Sequence, residues 1–305
     1  MKCFPFYNLN ILSTYDLAEV IALLDEELGS NKALKECPNY MINILPYGDY
    51  RSESIKDCIR VGYHPLNNVE IWQDPINARI IEKSSDEIFI RKGNSYTIFI
   101  RDTQDIYSYL RSKICEIIRD CMLRIYPFSL HAALIGYDRQ LSLIIGAKSS
   151  GKTSSVLYAL ANGWDVYTDE FVLIDRGSID VLVRFPAISR EVEKRFFPDM
   201  KLRLHKIIKG YLTGEAKKII NIDIKECRDF TLSNINRVYI LTDYRNQNMP
   251  DEYKKHILYS NFITGENISN DQYEIVQELI LRSQMISIKD FTRILQEDKL
   301  CKIPY

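Results

Sequence analysis

Apolar residues return every third or fourth position through Ile106, Leu110, Ile114, Ile117, Ile118 and Cys121. That rhythm puts them on one face of an amphipathic helix. Thr103 is placed to cap its start, and the stretch Met122–Pro127 ends it, because proline seldom continues a helix. Further on, His131–Ile135 and Leu141–Ile145 are short apolar runs divided by the turn signal Gly136-Tyr137-Asp138, and they read as strands. A second helix is expected from Gly151 or Lys152 to Ala161, closed by Asn162-Gly163. Val166–Thr168, Phe171–Ile174 and, after Arg176-Gly177-Ser178, Val181–Phe185 are again strand-like. Residues 190–230 are charged and poorly periodic, which predicts helix fragments and mobile loop. Arg237–Thr242 predicts a compact strand, Asp271–Ser283 and Ile288–Glu297 two closing helices, and Cys301–Tyr305 a last strand. Near the start, Tyr15–Leu28 is helical in pattern, and Glu87–Arg91 and Tyr96–Arg101 form a hairpin around Lys92-Gly93-Asn94.

These elements suggest an α/β chain with an N-terminal α+β part over residues 1–125 and a second domain over 126–305, a reasonable division for 305 residues. With 46% hydrophobic residues a sizeable core is available. Lys and Arg number 40 against 41 Asp and Glu, for a net charge of −1, so nothing points to a nucleic-acid partner. No run reaches the roughly 18 apolar residues of a membrane span, and the opening MKCFPFYNLNILSTYDL does not read as a secretory signal. The cysteines, Cys3, Cys37, Cys58, Cys115, Cys121, Cys227 and Cys301, are scattered and lack a C-x-x-C pair. They are expected as free thiols in a reducing cytoplasm rather than as disulfides or zinc ligands. Oligomer formation is left open.

One segment carries specific chemistry. Gly146-Ala147-Lys148-Ser149-Ser150-Gly151-Lys152-Thr153 fits G-x-x-x-x-G-K-[ST] in full, follows the apolar run Leu143-Ile144-Ile145 and leads through Ser154 into the expected helix. The glycines let backbone N–H groups wrap phosphate oxygens, and the helix directs its positive end at the same anion. Lys152 brings an ammonium to the β- and γ-phosphates, and Thr153 a hydroxyl to Mg²⁺. A nucleoside triphosphate such as ATP, with Mg²⁺, is the expected ligand, the base being unspecified because such loops read phosphates.

This chemistry calls for an acid to bind Mg²⁺ or orient a nucleophile. Asp169-Glu170 closes the first strand after the loop's helix. Asp175, ending Phe171-Val172-Leu173-Ile174, imitates the acid of a motor-type strand and ranks below Asp169. His131 opens the strand that feeds the site.

In order, Leu130-His131-Ala132-Ala133, the loop 146–153, Gly163-Trp164-Asp165-Val166-Tyr167-Thr168-Asp169-Glu170 and Arg184-Phe185-Pro186 resemble the catalytic domain of HPr kinase/phosphorylase and its kinase-like relatives. Those relatives include kinases of peptide natural-product clusters such as lasso-peptide precursor kinases, and the fold extends to ATP-dependent phosphoenolpyruvate carboxykinase. The resemblance covers about residues 125–190 and implies a P-loop fold of that kind. It implies Asp169 as general base toward a Ser or Thr hydroxyl, His131 as its supporting neighbour, and Thr153, Asp169 and Glu170 around the metal. Arg184 and Arg190 are candidates to neutralise transition-state charge. The chain has Asp169-Glu170 where the family pattern is Asp-Asp, and it lacks the signature E-I-R-G-x-G-x-x-N. The acceptor implied is therefore a peptide or protein other than HPr. A small-metabolite kinase and a nucleotide-binding regulatory module are the competing readings.

Overall fold

The computed structural model describes the chain outside residues 32, 37, 51–54, 57, 65–68, 84–86, 102–105, 127, 139, 148–149, 176–177, 198–201, 210–215, 228, 243–249, 262–269 and 301–305. The chain is mixed α/β with several sheets. It divides into two compact units, Met1–Ile118 with Ile208–Ala216, and Arg119–Ile207 with Lys217–Tyr305.

The first unit is built on strands β1 (Lys2–Phe6) and β2 (Leu9–Ser13), helices α1 (Ala18–Leu28) and α2 (Ala33–Glu36), strands β3 (Tyr40–Pro46), β4 (Ile59–His64), β5 (Val69–Asp74), β6 (Arg79–Lys83), β7 (Glu87–Lys92) and β8 (Ser95–Ile100), and helix α3 (Ile106–Ile125). They make an eight-stranded sheet ordered β1-β2-β3-β8-β7-β6-β5-β4. β2, β3 and β8 run parallel, while β4 to β8 form an antiparallel meander. The expected hairpin is there, turned by Gly93 at φ 54°. The early helix starts at Ala18 rather than Tyr15, and Thr103 lies outside the described residues. Burial alternates along β2 and β3, but exposed Met41, Ile59, Val61, Tyr63 and Ile80 put apolar residues on open positions too, which blurs the alternation in the sequence. Buried Leu24 and Leu28 come from α1, while Leu45, Tyr47, Tyr50 and Trp72 pack around Ile81, Ile88 and Phe99. Glu27 of α1 is fully buried, and its carboxylate takes the Arg111 guanidinium at 2.6 Å and the Tyr107 hydroxyl at 2.6 Å, both from α3.

The second unit contains β9 (Phe128–Leu130), β10 (Ala133–Tyr137), β11 (Gln140–Gly146), α4 (Lys152–Ala161), β12 (Asp165–Thr168), β13 (Phe171–Ile174), β14 (Ile179–Leu182), β15 (Ala187–Ser189), α5 (Arg190–Phe196), most of β16 (Arg203–Lys209) and β17 (Ala216–Asn221), whose residues Ile208, Lys209 and Ala216 count with the first unit, β18 (Ile235–Leu241), α6 (Asp251–Ser260), α7 (Asn270–Leu281), β19 (Ser283–Ile286) and α8 (Ile288–Leu300). Its central sheet is ordered β12-β10-β11-β18-β19, with two smaller sheets, β14-β13-β9 and β15-β17-β16. β11, β18 and β19 are parallel, and their C-terminal halves, Leu143–Gly146, Val238–Leu241 and Met285–Ile286, are apolar and buried, as strands covered on both faces must be. One face carries the cluster of Leu143, Ile145 and Val238 with Val276 and Leu279 of α7. The other carries Ile144 and Tyr239 with Val156 of α4 and Phe291 of α8.

Several expectations change. Among the described residues of 190–230, the expected helix fragment is present as α5, while β16 and β17 form a strand pair that was not expected. Both faces of β16 are at least partly exposed, so it has no apolar stripe to read. β19 and α6 were not legible at all, and Cys301–Tyr305 lies outside the described residues. Cys3, Cys58, Cys115 and Cys227 are thiols outside any disulfide, whereas Cys121 is disulfide-bonded, against the expectation of thiols throughout. Among the described residues, no helix is long and apolar enough to cross a membrane.

Candidate functional site

The sharpest feature of the second unit is a place where two chain passages change sheets side by side. β9 belongs to one sheet and β10 to another, and the chain steps between them at His131-Ala132. β12 and β13 belong to the same two sheets, and the step between them is Asp169-Glu170. The ladders pair Leu130 with Val172 and Leu134 with Thr168. The two steps therefore lie opposite each other, and the His131 ring meets Phe171 edge-on at 5.2 Å between centroids. β10 starts at Ala133, so His131 belongs to this junction rather than to the strand expected to contain it.

Thr168 fixes the second step. Its buried hydroxyl donates to the Leu182 carbonyl at 2.6 Å and accepts the Glu170 N–H at 3.0 Å. That pins the turn and leaves the Asp169 carboxylate buried, near enough to the Thr153 hydroxyl for it to favour the ionised form. Sequence reading did not single out Thr168. Its position just before an acidic pair, where a hydroxyl can close an ST-turn, is the signal that was available.

The loop itself leaves the C-terminal end of β11. Gly146 pairs with Leu241 of parallel β18, and a Cβ there would meet the Leu241 carbonyl at 3.0 Å and crowd Ser150. Gly151 has φ +100°, a backbone state that side chains strain, and a Cβ would come within 2.7 Å of Ile288 Cδ1. Helix α4 then begins at Lys152 with no side-chain cap and no acid in its first turn, so its leading N–H groups are open to an anion. Lys152 is 8% exposed, and its ammonium donates to the Gly146 carbonyl at 2.6 Å. Lys148 and Ser149 lie outside the described residues. Ser154 is buried on the inner side of α4.

Charges around this centre act strongly on one another. Burial drives the Asp169 carboxyl up to about 7, partly opposed by the Thr153 hydrogen bond; Glu170 adds to the rise, and Lys152 and Arg184 counter it. Burial lowers Lys152, against the pull of Asp169 and Glu170. His131 is also lowered, first by burial and then by Lys152, which favours a neutral ring. Arg184 Nη1 donates to Glu170 Oε1 at 2.8 Å, closing the cluster on the side of β14. Arg190 stands apart. It is exposed at the start of α5 and is not among the charges that act on Asp169 or His131. Asp175 sits at the opposite end of β13 from Glu170, in a turn with Ser178.

The chain matches no family model and no curated protein sequence.

Among the described residues, no group of three or more His, Cys, Asp and Glu is arranged to hold a metal ion by itself. A magnesium ion that arrives with a nucleotide needs less, one or two protein ligands with phosphates and water completing its shell. Asp169 Oδ1 is buried with no hydrogen-bond partner, and the Thr153 hydroxyl lies on the same carboxylate. An unsatisfied buried carboxylate oxygen is costly. A cation or a proton donor relieves it, so these residues fit the group.

Proposed function

We propose that this chain is an ATP-dependent phosphotransferase that moves the γ-phosphoryl group to a Ser or Thr hydroxyl of a peptide or protein. We read its second unit as a P-loop domain of the HPr kinase/phosphoenolpyruvate carboxykinase-like kind, with the first unit serving substrate choice. The observation that carries the reading is the convergence of Lys152, Thr153 and a buried, partly unsatisfied Asp169 at the mouth of a glycine-bent loop. A regulatory module that only binds nucleotide has no use for a carboxyl held near neutrality beside its phosphate loop.

Phosphoryl transfer depends on positioning and charge more than on covalent help from protein. Backbone N–H groups of the loop and of the first turn of α4 would hold the triphosphate, and Lys152 would exchange its bond to the Gly146 carbonyl for phosphate oxygens. Thr153 and Asp169 would hold Mg²⁺, which supplies charge neutralisation on the bridging phosphates. Ionised Asp169 accepts the hydroxyl proton as the acceptor oxygen bonds the γ-phosphorus and the β–γ bridging bond breaks, leaving ADP. Neutral His131 supports the junction without adding a proton that would compete for Asp169. Arg184, tethered to Glu170, stands beside Lys152 as a second cation for developing charge, and Arg190 has no place in this scheme. Consumption of ATP makes the cytoplasm the natural location.

The decisive experiment incubates the purified chain with γ-labelled ATP, Mg²⁺ and peptides bearing one serine. Labelled peptide supports the proposal. Label transferred only to free amino acids or other metabolites moves the assignment to a metabolite kinase, and slow release of phosphate to water alone moves it to a regulatory ATPase.

A further inference from the structure

The ladders of the central sheet fix which chain ends share one of its edges. β10 runs antiparallel to both β11 and β12, pairing Ala133 with Ile144 and Leu134 with Thr168. Parallel β11, β18 and β19 bring Gly146 beside Leu241 and Leu241 beside Ile286. Along that edge the order is therefore the Asp169 step after β12, the His131 step before β10, the glycine-bent loop after β11, Thr242 after β18, and Ser287-Ile288 after β19. All of these residues belong to the second unit. The loop stands in the middle, with the carboxylate on one flank and the start of α8 on the other. Each flank reaches two strands, about 10 Å, from β11.

In-line transfer gives the two flanks different tasks. The attacking oxygen, the γ-phosphorus and the bridging oxygen lie roughly on one line. An acceptor hydroxyl within reach of Asp169 stands on the β12 flank, so the β- and α-phosphates lead away from it, over the loop and toward β18 and β19. The β12 flank also carries side chains of its own, with the His131 ring on Phe171 and the Arg184 guanidinium on Glu170. On the other flank the Thr242 amide bonds the Ile286 carbonyl at 3.1 Å, tying the ends of β18 and β19 together. The Ser287 hydroxyl donates to Asp290 Oδ2 at 2.7 Å and accepts the Asp290 N–H at 3.1 Å, which caps α8 and fixes the direction in which it leaves the edge. Half-buried Ile288 is thereby held against the loop, where a Cβ on Gly151 would meet its Cδ1 at 2.7 Å. Ligands of parallel sheets lie in the crevice at the carboxyl ends of the strands. A base needs an apolar wall there, and Ile288 offers one next to the phosphate seat.

We propose that the nucleoside end of the nucleotide lies across the carboxyl ends of β18 and β19, with the ribose over Thr242 and the base against Ile288. This rests on the phosphotransferase reading and divides its site into three parts: phosphates on the loop, acceptor on the Asp169 flank, nucleoside on the α8 flank.

The test uses the full chain with Mg²⁺. Photolysis with 2-azido-ATP and with 8-azido-ATP, followed by proteolysis and mass spectrometry, should place adducts between Ser283 and Arg293, and excess ATP should remove them. Adducts on Ala133–Tyr137 or Asp165–Ile174 instead overturn the proposal. Calorimetry of ATP beside inorganic tripolyphosphate separates the nucleoside from the phosphates. Ile288→Ala should weaken ATP about tenfold, as loss of a buried apolar contact does, and leave tripolyphosphate within about twofold. The milder Ile288→Val keeps a branched side chain against Gly151 and should weaken ATP about twofold with tripolyphosphate unchanged, which guards against a disturbed loop in the first variant. Equal losses for the two ligands in both variants, or no loss for ATP, overturn the subsite. If neither ATP nor tripolyphosphate binds the unaltered chain, the nucleotide reading itself falls and takes the subsite with it. If both bind and the adducts lie on the β12 flank, the subsite alone falls, so the two failures are distinguishable.

Discussion

At the residue scale the chain states its intentions most directly in Lys152 and Asp169. Lys152→Ala should remove transfer and weaken nucleotide binding, read by calorimetry with Mg²⁺. Asp169→Asn should abolish turnover and leave ATP affinity within a few-fold; wild-type turnover in that variant would falsify the base assignment. The pH dependence has a definite sign. Asp169 titrates near 7, so kcat/KM should rise as pH rises through about 7 and the carboxyl ionises. Glu170 lifts Asp169, hence Glu170→Gln should move that limb to lower pH. Stability runs the other way. The folded chain keeps the Asp169 proton up to about 7, whereas the unfolded carboxyl releases it near ~4. This group's contribution is complete below the unfolded value and is lost as pH climbs through the folded one. The loop residues were legible because glycine, lysine and threonine at fixed spacing have one shared physical use. The Glu170–Arg184 pair and the Thr168 hinge were not, because partners 14 residues apart meet only after two strands have formed.

Elements were readable where burial is one-sided. α4 begins at Lys152 and ends at Ala161, as its pattern and the Asn162-Gly163 close predict. Gly163 takes φ 80°, the left-handed state that ends helices. The entrance to α4 gives a stability test. Gly151→Ala places a methyl against Ile288 in a strained backbone state, so the melting temperature and nucleotide affinity should both drop. α5, which packs on α4, offers a contrast outside the loop itself. The Ser189 hydroxyl caps it by accepting the Val192 N–H at 3.3 Å. Ser189→Ala should cost about 1 kcal/mol by denaturant titration while ATP binding persists. β16 escaped notice for the opposite reason, since a strand half-open on both faces leaves no periodic trace.

On the scale of the whole molecule, stability and ligand binding are coupled. A ligand that binds only the folded chain stabilises it by about 2.7 kcal/mol at a hundred times its Kd. Melting scans with rising ATP and Mg²⁺ should therefore climb without a plateau, and Lys152→Ala should flatten that response. The first unit has its own test. Arg111→Met would leave the buried Glu27 carboxylate with the Tyr107 hydroxyl but without its guanidinium counter-charge. Removing one partner of such a pair typically costs about 3–5 kcal/mol.

The sequence by itself determined the glycine-bent loop, the helix behind it and the strands flanking it. Those features depend on local backbone freedom and on periodic burial, which neighbouring residues specify. Only the tertiary structure decided that His131 and Asp169-Glu170 share one junction between sheets, that Arg184 reaches it while Arg190 and Asp175 do not, and that Ile288 lies against Gly151. Each of these depends on which strands lie next to one another, and pairing between distant segments is chosen by the packing of the whole core rather than by any stretch of chain.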